Sequence, residues 1–397
     1  MRLAIFLSHP IQHFIPWLRE LNRALDGELM VHYASKHGLE ERFDPEFMES
    51  FAWDMDLLSG YKHTFWELDA SVGPGDGFRA VRYRGIARAL RAERPDAVLI
   101  WGWLFQGYWE VAWHAKRAGI PYIVRGESNL GNRGSASRWW LKKQTVGRLC
   151  RNAGACLSIG KRNEELYLAY GVHSKRLLCA PYFVDNDWFR AEAQRLRPSR
   201  ADLRRKWKLP VEAFVVLFMG KLVRKKHPDH LLTAWQGLEA EHRDRSALLF
   251  VGSGEMASEL SSQVRGCDAV VFAGLMNRPQ LPEAYAVSDV LVLPSDSGET
   301  WGLVVNEAMA SGLPAIVSDQ VGSAPDLVSE GQTGLTFRFS DIDALRSSLR
   351  SVIANPALAK MMGRNAARHV DLASLDRAVS QTRRALELVC SRRSEEL

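Results

Sequence analysis

Short β-rich runs alternate with helical stretches along this chain, and after Asp185 the alternation starts again. No other feature constrains the fold as strongly. Strands and helices that take turns in this way imply parallel strands joined by crossover helices, and so a doubly wound sheet covered on both faces. In the first half the predicted strands are 2–7, 97–101, 122–125 and 155–158, with helices over 14–25, 108–117 and a stretch ending at Tyr170. In the second half they are 213–219, 247–251, 269–272, 290–293 and 315–318, with helices over 229–238 and 302–310. A charged helical stretch over 191–209 reads as a hinge. The predicted division is residues 1–190, residues 191–370, and a C-terminal helix over 371–397 that packs back toward the first domain. A length of 397 residues suits this division, because domains usually hold about 100–200 residues each. Two such units facing each other make a cleft, and in open α/β sheets ligands sit beyond the carboxyl ends of the strands.

Composition narrows the class. Apolar residues are 46% and charged residues 25% of the chain, as in ordinary globular proteins. The apolar start, Met1 to Leu7, is too short for the core of a secretion signal. The longest uncharged apolar run, Ala97 to Trp109, is too short to span a bilayer. The expectation is a cytoplasmic protein whose contact with a membrane is peripheral, at its inner face. The five cysteines are scattered without a CxxC pair, which argues against a disulfide framework or a zinc site of cysteines. The net charge is +6, unevenly placed: between Ser128 and Gly160 there is no acid, but there are Arg133, Arg138, Lys142, Lys143, Arg148 and Arg151. Such a patch attracts phosphate or an anionic lipid surface. Nucleic acid is not expected, since the overall charge is mild and no reading motif occurs.

The most specific string runs from Leu293 to Pro314. A buried strand ends at Leu293, a polar loop carries Glu299, and a helix opens near Gly302 with Glu307 in its second turn. The first amides of that helix, on Leu303 and Val304, lack intrahelical partners and can hold a phosphate. The two carboxylates can accept hydrogen bonds from sugar hydroxyls; a capped surface helix with two solvated acids is the plainer alternative. Gly220 to Pro228 is a basic loop directly after a strand, where Lys221 and Lys226 can reach a diphosphate. A solvated loop is the alternative there. Phe250 to Glu255 is half of a dinucleotide fingerprint, which a tight turn explains equally well. The first strand is followed by Ser8, His9 and Pro10 instead of a glycine loop, which counts against NAD.

Together these segments resemble the family 4 glycosyltransferases, retaining enzymes of GT-B fold. The resemblance rests on Gly220, Lys221, Leu222, Val223 and Lys226, on Phe272 to Met276, and on Ser288 to Ser295. It extends to the pair Glu299 and Glu307, Ala308 to Pro314, and Gly331 to Leu335. Ala180 to Asp185 matches more loosely. The resemblance implies an α/β protein of two facing, Rossmann-like, doubly wound domains. It implies that Lys221 and Lys226 bind the donor diphosphate and that Glu299 holds the transferred sugar. Glu307 would hold the ribose, the backbone near Leu275 and Met276 would face the base, and Gly220, Gly302, Leu303 and Val304 would complete the donor site. The co-substrate would be a UDP- or GDP-linked sugar and the acceptor a sugar or lipid-linked sugar hydroxyl, in the making of bacterial-type polysaccharide, glycolipid or glycoconjugate. No cofactor or metal is implied. Asp54 with Asp56, Asp185 with Asp187, and Asp341 with Asp343 form DxD pairs, but none follows a strand convincingly, so they read as turn or helix-surface acids.

Two positions depart from the family pattern. Lys221 stands where the family usually has Arg, and a point charge replaces a planar fork. Arg125, Gly126 and Glu127 stand where a His is frequent. Trp101 and Trp103 after one strand, His9, Gln12 and His13 after another, and Arg125 and Glu127 are candidate contacts to sugar or acceptor. Trp139 and Trp140 with the basic residues of 133–151 form a candidate membrane surface, with packed helix as the alternative. Other functions left open are a sugar-nucleotide epimerase or phosphorylase on the same kind of fold, and a non-catalytic nucleotide-sugar or anion-binding protein.

Overall fold

The computed structural model describes residues 1–39, 42–44, 49–51, 56–66 and 77–395. The chain divides into two compact units: 1–42, 52–182 and 375–397 form the first, and 43–51 with 183–374 form the second. A two-stranded piece pairs Arg42–Asp44 with Glu49–Phe51.

The first unit holds a seven-stranded parallel sheet. Its strands are β1 (Leu3–Leu7), β2 (Leu29–Tyr33), β3 (Lys62–Phe65), β4 (Ala97–Ile100), β5 (Tyr122–Arg125), β6 (Ala155–Ser158) and β7 (Leu177–Cys179). Their order is β3-β2-β1-β4-β5-β6-β7. β1 lies between β2 and β4, with Leu3 opposite Leu29 on one side and Ala97 on the other. Every residue of β1 is buried, as expected of a parallel strand covered on both faces by helices. The order reverses between β1 and β4, which opens a crevice at their carboxyl ends. The helix Leu375–Glu395 belongs to this unit, packing on helix Ile15–Ala24 and along β6 and β7. It comes close enough at Gly154 that a Cβ there would lie 2.7 Å from Val389.

The second unit holds six parallel strands: β8 (Phe214–Met219), β9 (Ser246–Val251), β10 (Val270–Phe272), β11 (Val290–Leu293), β12 (Ala315–Ser318) and β13 (Gly334–Phe337). Their order is β10-β9-β8-β11-β12-β13. Val216 of β8 is opposite Val290 of β11, and the order reverses there. Both units are thus parallel, Rossmann-like sheets.

The expected hinge helix is broken. Helix Asn186–Leu196 ends in a 3-10 turn, Arg197–Ser199, before helix Arg200–Lys206. Pro198 has no amide to continue the first helix. No helix of the described residues is long and apolar enough to cross a membrane.

Candidate functional site

In the second unit the candidate residues lie on loops at the carboxyl ends of the strands. Gly220 follows β8 with φ 140°, and a side chain there would meet the Lys226 stem at 3.3 Å. Gly252 follows β9, and a Cβ on it would lie 2.0 Å from the Gly220 carbonyl oxygen. The loops after β8 and β9 are therefore packed backbone against backbone, which only glycine permits. The Leu222 amide donates to Ser253 O (2.8 Å) and the Met256 amide to Leu222 O (2.9 Å). Lys221 opens the basic loop, and Arg224–Lys226 closes it as a 3-10 turn.

The Glu299 loop, after β11, is fastened on both sides. The Asp296 amide donates to Lys225 O (3.0 Å) and the Gly322 amide to Glu299 O (3.0 Å). A Cβ on Gly322 would lie 1.8 Å from Thr300 O. Trp301, buried, donates from Nε1 to Asn306 Oδ1 at 2.8 Å. The Lys226 ammonium pairs with the Glu299 carboxylate, and each side chain is 15% exposed. A pair this shielded from water interacts more strongly than a surface pair.

Gly302, at φ 92°, precedes helix Leu303–Ala310. Its first turn carries no acid and no side-chain cap, so the Leu303 and Val304 amides point outward with partial positive charge. On the same helix Glu307, half-buried, accepts a 2.5 Å hydrogen bond from the Tyr285 hydroxyl. Burial pushes the Glu307 carboxyl up to about 7, against the opposing pull of the Tyr285 bond and of Arg278. Leu275 and Met276 lie half-buried after β10, where the Gly252 amide donates to Gly274 O (2.8 Å). The structure thus brings Gly220, Lys226, Glu299 and the start of the Glu307 helix to one sheet edge. Tyr285, Arg278 and Asp296 join them without any sequence signal: Tyr285 lies 22 positions before its partner Glu307, a separation that no local motif marks.

In the first unit the candidates again gather at strand ends. His9 follows β1; its Nδ1 lies 2.9 Å from Ser8 Oγ and its ring 5.1 Å from that of His37. Burial lowers His9 to about 4, helped by His37. Burial, Arg125 and His9 lower His13 to about 3, so both imidazoles are neutral at neutral pH. Gln12 sits half-buried in the turn Gln12–Phe14. The Arg125 guanidinium is 1% exposed, donating to Ala180 O at 2.7 Å and lying 5.0 Å from the Trp101 ring centre and 5.6 Å from that of Tyr182. Its Nε and Nη2, like His13 Nε2, have no hydrogen-bond partner among the described residues. Glu127 accepts from Trp101 Nε1 at 3.0 Å; burial raises its carboxyl and the Arg125 charge opposes the rise. Trp103 is set apart from this cluster. Its ring lies against Gly126, where a Cβ would be 2.2 Å away, and edge-on to Tyr167 and Tyr170.

The DxD acids have structural work. Asp185 and Asp341 cap helices, accepting from the amides of Trp188 (3.0 Å) and Ala344 (2.9 Å). Asp187 and Asp343 pair with Arg190 (2.7 Å) and Arg346 (2.8 Å) one turn on. Asp56 accepts from the Leu58 and Ser59 amides; Asp54 lies outside the described residues. The basic segment also resolves into parts. Helix Ala136–Gln144 buries none of its residues, and Trp140 and Leu141 are 64% and 56% exposed. Trp139 stacks on Tyr170 at 5.2 Å. Val146 and Leu149 belong to a separate helix, Val146–Asn152, and are buried.

Comparison with known proteins follows the same division. Residues 199–369 match the sequence family described as "Glycosyl transferases group 1", and residues 63–182 match "Glycosyl transferase 4-like domain". The D-inositol 3-phosphate glycosyltransferase of Streptomyces avermitilis is 35% identical over 201 residues, which is 47% of this chain and 43% of that protein. The GDP-mannose-dependent alpha-(1-6)-phosphatidylinositol monomannoside mannosyltransferase of Mycolicibacterium smegmatis is 29% identical over 258 residues, 63% of this chain and 65% of that protein. The matched stretches thus span less than two thirds of these relatives' own lengths. Among solved structures, Anabaena Alr3699/HepE in complex with UDP superposes with a TM-score of 0.72 at 14% identity, over 98% of this chain and 100% of that one. WaaG, a glycosyltransferase involved in lipopolysaccharide biosynthesis, gives 0.68 at 16% identity, over 98% of this chain and 99% of that one. At such identities the structures speak to fold alone. The two sequence families together cover most of the chain, and it belongs to the family 4 glycosyltransferases, of GT-B type.

Proposed function

We propose that this chain transfers a sugar from a UDP- or GDP-linked donor to a hydroxyl of a sugar or lipid-linked sugar, with retention at the anomeric carbon and without a metal in the transfer step. The observation that carries this reading is the shielded Lys226–Glu299 pair, set between the Gly220 turn and the helix that bears Glu307. In this reading Lys221, Lys226 and the Leu303 and Val304 amides hold the diphosphate. Their positive charge stabilises the negative charge that grows as the bond from sugar to phosphate breaks. Glu299 holds sugar hydroxyls and Glu307 the ribose, with the base against the Leu275 and Met276 backbone. The acceptor oxygen forms the new bond to the anomeric carbon on the face the diphosphate leaves, and its proton passes to a phosphate oxygen. The acceptor belongs to the first unit, around His9, Gln12, Arg125 and Glu127, with Trp103 outside that cluster. Relatives whose names carry inositol phosphate, phosphatidylinositol mannoside and GDP-mannose, and a related fold with UDP bound, support a nucleotide sugar and a polyol or glycolipid acceptor.

The test begins with a thermal-shift panel of nucleoside diphosphates and their sugars, since a ligand that binds the folded state raises its stability. One of UDP or GDP should raise the melting temperature. Transfer from its sugar should continue in EDTA and give an axial or equatorial linkage matching the donor. No shift with any nucleotide, an inverted product, or loss of transfer in EDTA with rescue by a divalent ion would each overturn the corresponding part. Formation of an epimer from donor alone would favour an epimerase instead.

A second observation bears on where the acceptor resides. Exposed Trp140 and Leu141 stand beside Arg138, Lys142 and Lys143 on one helix, which fits a protein that rests on an anionic lipid surface. Each basic residue near such a surface contributes about 1 kcal/mol, fading within a Debye length. The protein should sediment with anionic vesicles in low salt. Lys142→Glu with Lys143→Glu should abolish this without changing donor affinity. Wild-type protein that stays in the supernatant would turn the patch into a site for a soluble acidic acceptor.

A further inference from the structure

The turn that follows Lys226 holds a second set of chemically active side chains. His227 has φ 48° and ψ 51°, a left-handed conformation that residues with a Cβ adopt reluctantly. Pro228 then starts helix Pro228–Gln236, so Asp229 and His230 fall in its first turn. The unusual backbone at His227 lays its ring over that of His230, with centroids 4.3 Å apart and planes inclined by 28°. Phe339 closes the apolar side, 5.0 Å from the His227 ring and 5.9 Å from that of His230.

Two polar atoms of this cluster are left over. Asp229 Oδ1 and His230 Nδ1 are both buried and have no hydrogen-bond partner among the described residues. Leaving a buried acceptor unpaired costs about 1–3 kcal/mol, more for a charged group. His227 Nδ1 lies 4.0 Å from Asp229 Oδ1, too far for a hydrogen bond. One ligand atom from each of His227, Asp229 and His230 lies within 4.8 Å of the other two. A tetrahedral ion with bonds of about 2.0–2.1 Å brings its ligands to roughly 3.4 Å from one another. Closing the cluster onto such an ion therefore asks for movements of about an ångström, which side-chain rotation supplies.

The far side of His227 faces a carboxylate that a small rotation would bring into hydrogen-bond reach. Its Nε2 faces Asp296 Oδ2 at 3.8 Å. A carboxylate against one ring nitrogen keeps a proton there and leaves the other nitrogen free to bind a metal. We propose that His227, Asp229 and His230 form a site for a divalent transition-metal ion of the zinc class, with Asp296 orienting His227. Two imidazoles and one carboxylate suit zinc, cobalt or nickel, whereas magnesium and calcium take oxygen ligands. The fourth position is left to water. The ion would not enter the transfer step. It would tie the turn that carries Lys226 to the Asp296–Glu299 loop, which already meets it through the Asp296 amide and Lys225 O.

The test uses the full chain, freed of metal by dialysis against chelator and then titrated with Co2+ and Zn2+. Cobalt should give a visible ligand-field absorption that saturates at one ion per chain, and zinc should displace it. His227→Ala and His230→Ala should each weaken zinc binding at least 100-fold, and Asp296→Asn about 10–100-fold. His230→Asn, which keeps the size and polarity of the first atoms of the ring, guards against a folding defect in the alanine variant. His242→Ala, whose histidine pairs elsewhere with Glu239, should bind as the wild type does. Absence of a cobalt band, or zinc binding in His227→Ala and both His230 variants equal to that of the wild type, would overturn the site. These readouts do not depend on transfer activity, so they stand apart from the donor assignment.

Discussion

Turnover of Lys226→Ala should fall by about 10²–10³-fold, the usual cost of removing one preorganised charge from a leaving group. The structure shows why the loss should lie in turnover more than in donor affinity. Lys226 is held by its pair with Glu299, and its stem lies over Gly220. In the proposed donor site its charge would thus be fixed before the diphosphate gains negative charge, so the benefit would grow along the reaction. The same change removes the partner of Glu299, which would remain largely shielded from water with its charge uncompensated. A second variant, Lys226→Ala with Glu299→Gln, separates the two effects. It should recover thermal stability lost in the single variant without recovering turnover. Steady-state kinetics with calorimetric donor binding make the measurement. Near-wild-type turnover in Lys226→Ala would remove this residue from the mechanism.

Glu307→Gln should weaken donor binding by about 10–100-fold at pH 8, the range expected when a hydrogen bond to a charged acceptor becomes one to a neutral acceptor. The wild type should itself show a pH effect. Burial holds the Glu307 carboxyl at about 7, above its ordinary 4.5, so it is protonated in much of the free protein below pH 7. In the proposed role an acceptor for ribose hydroxyls would then be lost, and donor affinity should rise with pH through about 7, whereas Glu307→Gln should be flat there. Stability moves the other way. A raised carboxyl gives the folded state extra protons between its unfolded value and about 7, so its stabilising contribution is full below 4.5 and lost as pH rises through 7. Relative to the wild type, Glu307→Gln should therefore gain stability as pH rises from 4.5 to 7, by at most about 1.4 kcal/mol for each pH unit in that window. Calorimetry at pH 6 and pH 8 reads both. Equal donor affinity in the two proteins at pH 8 would remove Glu307 from the donor site.

The placement of the candidate residues at strand ends was legible because the runs before Gly220, Leu293 and Ser318 are apolar enough to mark those ends. Strands whose side chains are mixed were not legible. β2 contains His32, fully buried but bonded to Glu93 and Trp66, so its apolar run is interrupted. β3 is Lys-His-Thr-Phe, a polar edge strand. The surroundings of Arg125 were not legible either: the fold buries it against Trp101 and Tyr182, where it sets the field around His13 and Glu127. The basic segment of 133–151 offered a membrane surface or a packed helix as alternatives, and its sequence did not mark the break between its two helices. The first helix ends at Gln144, and the apolar residues divide between surface Trp140 and Leu141 and core Val146 and Leu149. Tyr285 could not be found from spacing at all, since its contact with Glu307 is made only when two helices of the second unit pack.

The helix Leu375–Glu395 gives the first unit a particular order of assembly. Ala378, Ala385, Leu386 and Val389 are buried within that unit, yet the ribosome makes them after every residue of the second. During synthesis the strands β1 to β7 are all present while the faces of helix Ile15–Ala24, β6 and β7 that this helix covers are still bare. The second unit has all of its sequence earlier, and can settle first although it begins later in the chain. A segment that follows the whole of the second unit in the chain is thus needed to cover the first.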